Sequence, residues 1–526
     1  MILITSAAYV EREFQIEFGA LPPSLLPVGN LRLFELQVGS LRGVFGNEKI
    51  ILSLPENTKL NPRDIRILKF LDVTVIYLKE GLSLGVSIQL AIKANIVSGD
   101  VVRILHGDTL LEEFDTASDC IAISNCEDNH SWEIDNQESS NSLVWCGYFA
   151  FKNAKDFLEC LSFGEGDFVS AVRLYDSKVK MKRVEIKPWY DFGHTSTYFR
   201  SRSKLTTERS FNLLKILDGS VTKTGLPVSK IKAEYSWFKN LDDELLTYTP
   251  KLTKTDYGTG RIDHYQIEYL PLPPLNEVYV HGCNDIRYWR KIFTLLDDFL
   301  CICMKKSPPP NQLNAIKLSA SSLVKEKTLK RLSAFSREKP AFNLSRENEL
   351  NGEILPSISD IVGECFSRIS REGAVIGLSH GDLCLSNILF DSRTQRIKVI
   401  DPRGLDYSGL NSSYGDLRYD FAKLTHSVVG LYDYIISEAY TLDVVDHANY
   451  TIYNFELDVN DNLLNIQKLF KSKLFFNNMS YLEVMPETIL LFFSMLPLHA
   501  DKPRRQMAFV ANGLRLYSNM IHMEQK

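Results

Sequence analysis

Along the first two hundred residues, short apolar runs alternate with stretches of helical periodicity. Ile2–Ile4, Lys49–Leu52, Val73–Tyr77 and Val101–Leu105 read as strands, and residues 85–94, between the third and fourth, as an amphipathic helix. Alternation of this kind predicts a mostly parallel sheet with helices on its faces, whose ligands bind beyond the C-terminal strand ends. After the polar stretch Arg200–Arg209 the pattern changes. Residues 211–217, a turn at Asp218-Gly219 and residues 220–224 predict strand, turn and strand; Lys230–Phe238 predicts a helix; and His264–Leu270 predicts a strand stopped by Pro271, Pro273 and Pro274. Asp285–Met304 is periodic as a helix. Lys305–Arg346 is basic and rich in Ser and Pro, with one helix expected near Val324–Leu332, and reads best as solvated surface. Ile388-Leu-Phe, a polar hexapeptide and Ile397-Lys-Val-Ile predict a β-hairpin.

The chain has 526 residues, 44% hydrophobic and 24% charged, which is the balance of a globular protein with several cores. A formal net charge of -5 without a long basic run excludes bulk nucleic-acid binding and points to small substrates. The apolar start lacks a positive segment and is read as a first strand, not a signal peptide. Thr488–Leu498, the strongest later apolar run, is too short to span a membrane. Nine cysteines without Cys-x-x-Cys pairs are read as reduced residues of a cytoplasmic protein.

The chemistry concentrates in residues 378–404, Leu-Ser-His-Gly-Asp-Leu-Cys-Leu-Ser-Asn, then the predicted hairpin, then Asp-Pro-Arg-Gly. Phosphoryl transfer needs an acidic acceptor beside the attacking hydroxyl and oxygen ligands for Mg²⁺. Asp382 is the candidate acceptor, and Asn387 and Asp401, joined by the hairpin, are the candidate metal ligands. Earlier, Asp108 follows the fourth strand and Asp191 lies in Lys187-Pro-Trp-Tyr-Asp-Phe-Gly, two carboxylates placed where a parallel sheet holds a cation.

The pattern His-x-Asp, four residues, Asn, then an apolar strand ending in Asp resembles the aminoglycoside phosphotransferase and choline kinase family, distant relatives of the protein kinases. The resemblance covers about residues 205–520. It implies that Asp382 is the catalytic base, that His380 braces the loop, that Asn387 and Asp401 bind the metal, and that Lys223 contacts the nucleotide phosphates while Glu234 pins it. ATP is the implied phosphoryl donor, with GTP as an alternative, and a small alcohol or sugar the acceptor. Asp420 in the following helix is expected to be structural.

Gly107-Asp108 after a strand, the later Trp189-x-Asp191-x-Gly193 and Pro22–Asn30 before a helix resemble sugar nucleotidyltransferases over about residues 1–200. That resemblance makes Asp108 and Asp191 the metal pair. The family's glycine-rich loop is replaced by Ala7–Arg12, with no glycine until Gly19, and Pro23-Ser24 stands where a Lys is expected; Arg12 is the candidate substitute for the phosphate contacts.

The expected fold is thus α/β: a mostly parallel nucleotidyltransferase-like domain at 1–203 followed by a bilobal kinase-like domain with a small lobe at 204–275 and a large lobe at 276–526. The expected function is a bifunctional kinase and nucleotidyltransferase using Mg²⁺, ATP and CTP or another triphosphate, of the kind that resembles makers of surface-polysaccharide precursors. The alternative is a small-molecule kinase whose first domain only binds nucleotide or substrate, and a scaffold without turnover is the third reading. His499–Gln506 is expected as a charged loop between helices.

Overall fold

The computed structural model describes all residues except 96–100, 126–129, 131, 136–142, 207, 210–211, 255–262, 370–371, 407–408, 448 and 526. Phe211, at the start of one expected strand, lies outside the described residues. The chain divides into two compact units, Met1–Thr206 with His281–Asn284, and Thr207–Val280 with Asp285–Lys526. No helix among the described residues is long and apolar enough to cross a membrane.

The first unit is built on seven strands: β1 (Ile2–Thr5), β2 (Ile50–Pro55), β3 (Val73–Leu78), β4 (Val102–His106), β5 (Cys120–Asn125), β6 (Leu143–Phe151) and β7 (Lys182–Glu185). They lie in the order β7-β5-β6-β4-β1-β2-β3. All neighbours are parallel except β6, which runs against both β4 and β5. The four strands expected from the apolar runs are β1 to β4, adjacent and parallel. Strands buried on both faces need continuous apolar sequence, and β1 and β2 have it. The expected amphipathic helix spans Leu84–Asn95 and buries Ile88, Ala91 and Ile92, at the three- and four-residue spacing that makes one face. Aromatic side chains fill the layer beside it. Phe151 stacks on Phe157 at 3.6 Å between ring centroids, and Phe149 meets Phe168 edge-on at 5.1 Å.

The second unit opens with a five-stranded antiparallel sheet: β8 (Glu208–Arg209), β9 (Asn212–Leu217), β10 (Ser220–Gly225), β11 (Leu252–Lys254) and β12 (His264–Glu268), in the order β8-β9-β10-β12-β11. The helix Val228–Lys239 packs against it and buries Ile231, Glu234, Trp237 and Phe238. Helices Ile286–Lys305, Leu417–Val428, Met485–Ser494 and Pro503–Glu524 form the body of the remainder. A second sheet, absent from the sequence reading, pairs Glu347–Leu350 with Glu353–Leu355 and with Tyr450–Leu457, which pairs in turn with Tyr440–Asp446.

The reading of Lys305–Arg346 is corrected. In place of solvated surface with a short helix at 324–332, a 26-residue helix runs from Leu313 to Glu338. It contains no Gly or Pro, and Thr328, Leu332 and Phe335 bury one stripe at four- and three-residue spacing. Basic residues and small Ser and Ala take many of the other positions, so the composition looked solvated although one face is packed.

The expected hairpin is present, with Ile388 opposite Val399 and Asp391 opposite Arg396. Just beyond it, Gly404 adopts φ +61°, and a Cβ there would lie 2.2 Å from the Ala233 carbonyl oxygen. The loop can therefore touch the helix Val228–Lys239 only with glycine at this position. Gly404→Ala is expected to destabilise by about 2–4 kcal/mol, combining a left-handed backbone penalty with a backbone clash. Gly219→Ala, also at positive φ but with nothing within 4 Å of the added carbon, is expected to cost only about 1 kcal/mol. Calorimetric melting of both variants checks the pair; equal shifts would remove the packing role assigned to Gly404.

Candidate active sites

In the second unit, five side chains from four segments converge. Lys223 on β10 is buried; its Nζ lies 2.7 Å from Glu234 Oε2 and 2.9 Å from Asp401 Oδ1. The Tyr265 hydroxyl on β12 donates to Glu234 Oε2 at 2.8 Å. Burial opposes the ammonium, but the two carboxylates outweigh it and hold Lys223 above its ordinary pKa. Asp401 has φ +57°, a costly conformation for a residue with a Cβ. It directly follows Ile400, whose N–H donates to the Asn387 carbonyl at 2.9 Å.

Asn387 Nδ2 donates to the Asp382 carbonyl at 2.9 Å. That bond assigns the amide, whose Oδ1 accepts only a long contact from Ser386 Oγ at 3.5 Å. The loop is braced by two buried groups. His380 Nε2 bonds the Ile400 carbonyl at 3.0 Å, while its Nδ1 accepts from the Asp382 N–H at 3.3 Å. Burial lowers the imidazole to about 4, so the ring is neutral and both bonds are satisfied. Asp420 accepts the N–H groups of His380 and Gly381 at 2.9 and 2.7 Å. It is buried and positions the loop.

Asp382 keeps 43% of its side-chain surface exposed, so the carboxylate is open to solvent. The surrounding protein desolvates the carboxyl, but Lys423 Nζ, 2.8 Å from Oδ1, reverses that and holds the group well below the usual carboxylate range. Lys423, in the helix Leu417–Val428, went without a role in the sequence reading; it is a lone Lys inside a largely buried helix, and that burial, invisible in the sequence, is its only signal.

In the first unit, β4 ends at His106, and the Gly107 N–H donates to the Thr5 carbonyl at 2.8 Å, setting Asp108 beside the end of β1. A short strand, Thr109–Leu111, pairs antiparallel with Trp189–Asp191, placing Thr109 opposite Asp191. Both carboxylates converge on Gly193: a Cβ there would lie 2.9 Å from Asp108 Oδ2 and 3.4 Å from Asp191 Oδ1. Burial, reinforced by the charge of Asp108, raises Asp191 to about 7, although Thr197 and the N–H groups of Gly193 and His194 pull the other way. Two carboxylates so placed have the hard oxygen donors and the surplus negative charge that suit a divalent cation.

They open on a cavity of ≈ 490 Å³ lined also by His106, Trp132, Trp145 and Trp189. The indole N–H groups of Trp132 and Trp189 are buried without a hydrogen-bond partner among the described residues. Trp132 packs edge-on against Trp189 at 5.1 Å and His194 at 5.6 Å. Its distance in sequence from the aspartates concealed it.

The remaining expected residues are placed less centrally. Arg12 is exposed at the first position of the helix Arg12–Phe18. Ser24 is buried and spent on structure: its N–H donates to Ser6 Oγ at 3.0 Å and its Oγ to the Gly107 carbonyl at 3.1 Å. The charged loop expected at His499–Gln506 is shorter, because the helix Pro503–Glu524 begins inside it; Arg504 and Arg505 in its first turn donate to the carbonyls of Leu442 and Ile436.

No protein-family model matches this chain, and no curated protein matches it. Among solved structures, about two fifths of the chain is similar to a nucleoside-diphosphate-sugar pyrophosphorylase from Vibrio cholerae RC9, with 13% identity, TM-score 0.31, and coverage of 38% of this chain and 99% of that one. The inositol-1-phosphate CTP transferase from T. maritima aligns with 14% identity and TM-score 0.30 over 39% and 95% of the two chains. HddC from Yersinia pseudotuberculosis aligns with 18% identity and TM-score 0.29 over 39% and 99%.

Proposed function

We propose that the chain joins two transferase activities. The second unit phosphorylates a hydroxyl of a small alcohol or sugar from ATP, and the first joins the phosphorylated product to CTP or another nucleoside triphosphate. The observation that carries the reading is the convergence of Lys223, Glu234, Asp401, Asn387 and Asp382, with Lys223 and Asp401 in contact across 178 residues of chain. Surface-polysaccharide synthesis is the setting in which such a nucleotide-linked product is consumed.

In the kinase step the acceptor oxygen attacks the γ-phosphorus. The new O–P bond forms as the bond to the β,γ-bridging oxygen breaks, and ADP leaves with that electron pair. Asp382 orients the hydroxyl through a hydrogen bond and takes its proton. A strongly basic carboxylate is unnecessary, because the transition state is loose and the proton leaves late. Lys223 positions the phosphates, and Glu234 holds Lys223. Asn387 and Asp401 would hold Mg²⁺, which when bound neutralises charge on the phosphates. In the second step a phosphate oxygen of the product attacks the α-phosphorus of the triphosphate and pyrophosphate leaves. Asp108 and Asp191 would hold the cation there.

A second reading, a kinase whose first unit binds without turnover, is favoured by the glycine-free segment Ala7–Arg12 and by the structural use of Ser24. Purified protein with Mg²⁺, each of four nucleoside triphosphates and a panel of small alcohols and sugars, scored separately for ADP and pyrophosphate, decides between them. ADP without pyrophosphate selects the second reading, and neither product refutes both.

Three tests follow from this assignment. Asp382→Asn keeps the shape of the base but cannot accept the proton, so acceptor-dependent ADP release should fall at least ~10²-fold. A rate within a few-fold of the parent would remove Asp382 from the role of base.

Lys223→Ala, Glu234→Ala and the double variant should be non-additive in kcat/KM by about 0.5–3 kcal/mol, since each alone disables the same unit. Additive losses would mean that the pair does not act together.

The carboxylate pair gives a test by stability. The folded-state pKa of Asp191, about 7, lies above the unfolded value of about 3.9. The fold therefore holds the proton more tightly, and this group's contribution falls as pH rises from about 4 to about 7. Mg²⁺ competes with that proton and should raise Tm more at pH 8 than at pH 5.5. Asp191→Asn should abolish the difference and stop pyrophosphate release while ADP release continues; an unchanged Mg²⁺ effect in that variant would refute metal binding at the pair.

A further inference from the structure

The helix Leu313–Glu338 lays Ile316, Ser319, Ala320 and Leu323 along a pocket whose opposite wall is His380, Gly381, Arg403 and Tyr419. One and two turns farther along the same face come Lys327 and Arg331. Lys327 Nζ bonds the Tyr419 hydroxyl at 3.0 Å, and Arg331 Nη1 donates to the Ser494 carbonyl at 3.2 Å. From the other side, Lys423 reaches Asp382 at 2.8 Å. Arg403 packs its Cβ against Gly381 and has a buried Nη1 with no hydrogen-bond partner among the described residues. Four cationic side chains thus surround the candidate base and one phenol.

The carboxylates at hand do not balance them. Asp382 faces Lys423; Asp416 pairs with Arg418 through two bonds; Asp406 accepts the Leu410 N–H. Like charges gathered in a desolvated recess repel, and the cost shows. Burial and then the neighbouring Lys423, Arg403 and Arg331 push Lys327 down to about 8 against the pull of Tyr419, while Lys327, Lys423 and Arg403 together overcome burial to bring Tyr419 down to about 8. Such a site is completed by an anion. Arginine is suited to bidentate oxyanion recognition, and its unpartnered Nη1 is a donor held ready.

We propose that Lys327, Arg331 and Arg403 seat an oxyanion carried by the acceptor, so that the alcohol phosphorylated beside Asp382 is already an acid, a phosphorylated or carboxylated polyol. The inference rests on the kinase reading of the second unit and names its substrate class. The γ-phosphate of the nucleotide has the same chemistry, and the test separates the two sources.

The full-length protein is titrated calorimetrically with inorganic phosphate, first with Mg²⁺ and ADP, then with Mg²⁺ and β,γ-imido-ATP. Saturable phosphate binding is expected in both, weakened at least tenfold by the double substitution Lys327→Gln, Arg331→Gln. Phosphate that binds with ADP but is expelled by the imido analogue assigns the cluster to the γ-phosphate and overturns the proposal. Absence of binding, or undiminished binding in the variant, overturns it as well. Failure of either nucleotide to bind would instead refute the kinase reading, while the phosphate titration still decides whether the cluster seats an oxyanion.

A second measurement needs no variant: ADP release is compared between glycerol and glycerol 3-phosphate, glucose and glucose 6-phosphate, and glucose and gluconate. The anionic member of a productive pair should have at least tenfold higher kcat/KM, and neutral members that serve equally well would overturn the proposal.

Discussion

A single ammonium group holds the second unit's chemistry together. Lys223 enters from the sheet, Glu234 from the helix and Asp401 from the loop beyond the hairpin; Lys223 and Glu234 are buried and rely on each other, and Lys223 on the partly exposed Asp401, for the charge that burial opposes. Removing a partner from such an arrangement leaves an uncompensated buried charge and costs about 3–5 kcal/mol, even where the intact cluster adds little net stability. The cluster therefore contributes geometry more than strength. It helps to keep Asp401 at a positive φ that its own backbone disfavours, and so fixes where its carboxylate points.

Two carboxylates in this chain show how surroundings set a role. Asp382 has an ammonium on one oxygen and solvent beside it, and stays ionised throughout the working range of pH. Asp191 is buried beside another acid and clings to its proton until a higher pH removes it. Residue type is the same; the nearest charge decides.

What could be read in advance follows the same physics. The parallel strands were legible because strands covered on both faces must be continuously apolar, and β1 and β2 are. His380, Asp382, Asn387 and Asp401 were legible because a loop and a hairpin put them at fixed spacings. Lys223 and Glu234 were legible only as members of that set, since neither residue type is unusual in its own segment. The long helix Leu313–Glu338 was misjudged because its buried stripe is narrow and its other positions are basic and small. Lys327, Arg331, Arg403 and Lys423 come from three separated segments, and nothing local marks residues that meet only after folding. Trp132 is hidden in the same way from Asp108 and Asp191.

The hairpin between Asn387 and Asp401 has a metric consequence. Its turn, Ser392–Gln395, lies at the far end from both residues, yet the pairing that begins there sets how far apart they stand. Each residue of a strand advances the chain by about 3.3 Å and reverses the side on which a side chain emerges. A one-residue deletion in that turn would shift one strand against the other and turn Asp401 away from Asn387, with every chemical group intact. A peripheral loop of ordinary polar residues thus acts as a ruler for the spacing of Asn387 and Asp401, and its length is constrained where its composition is free.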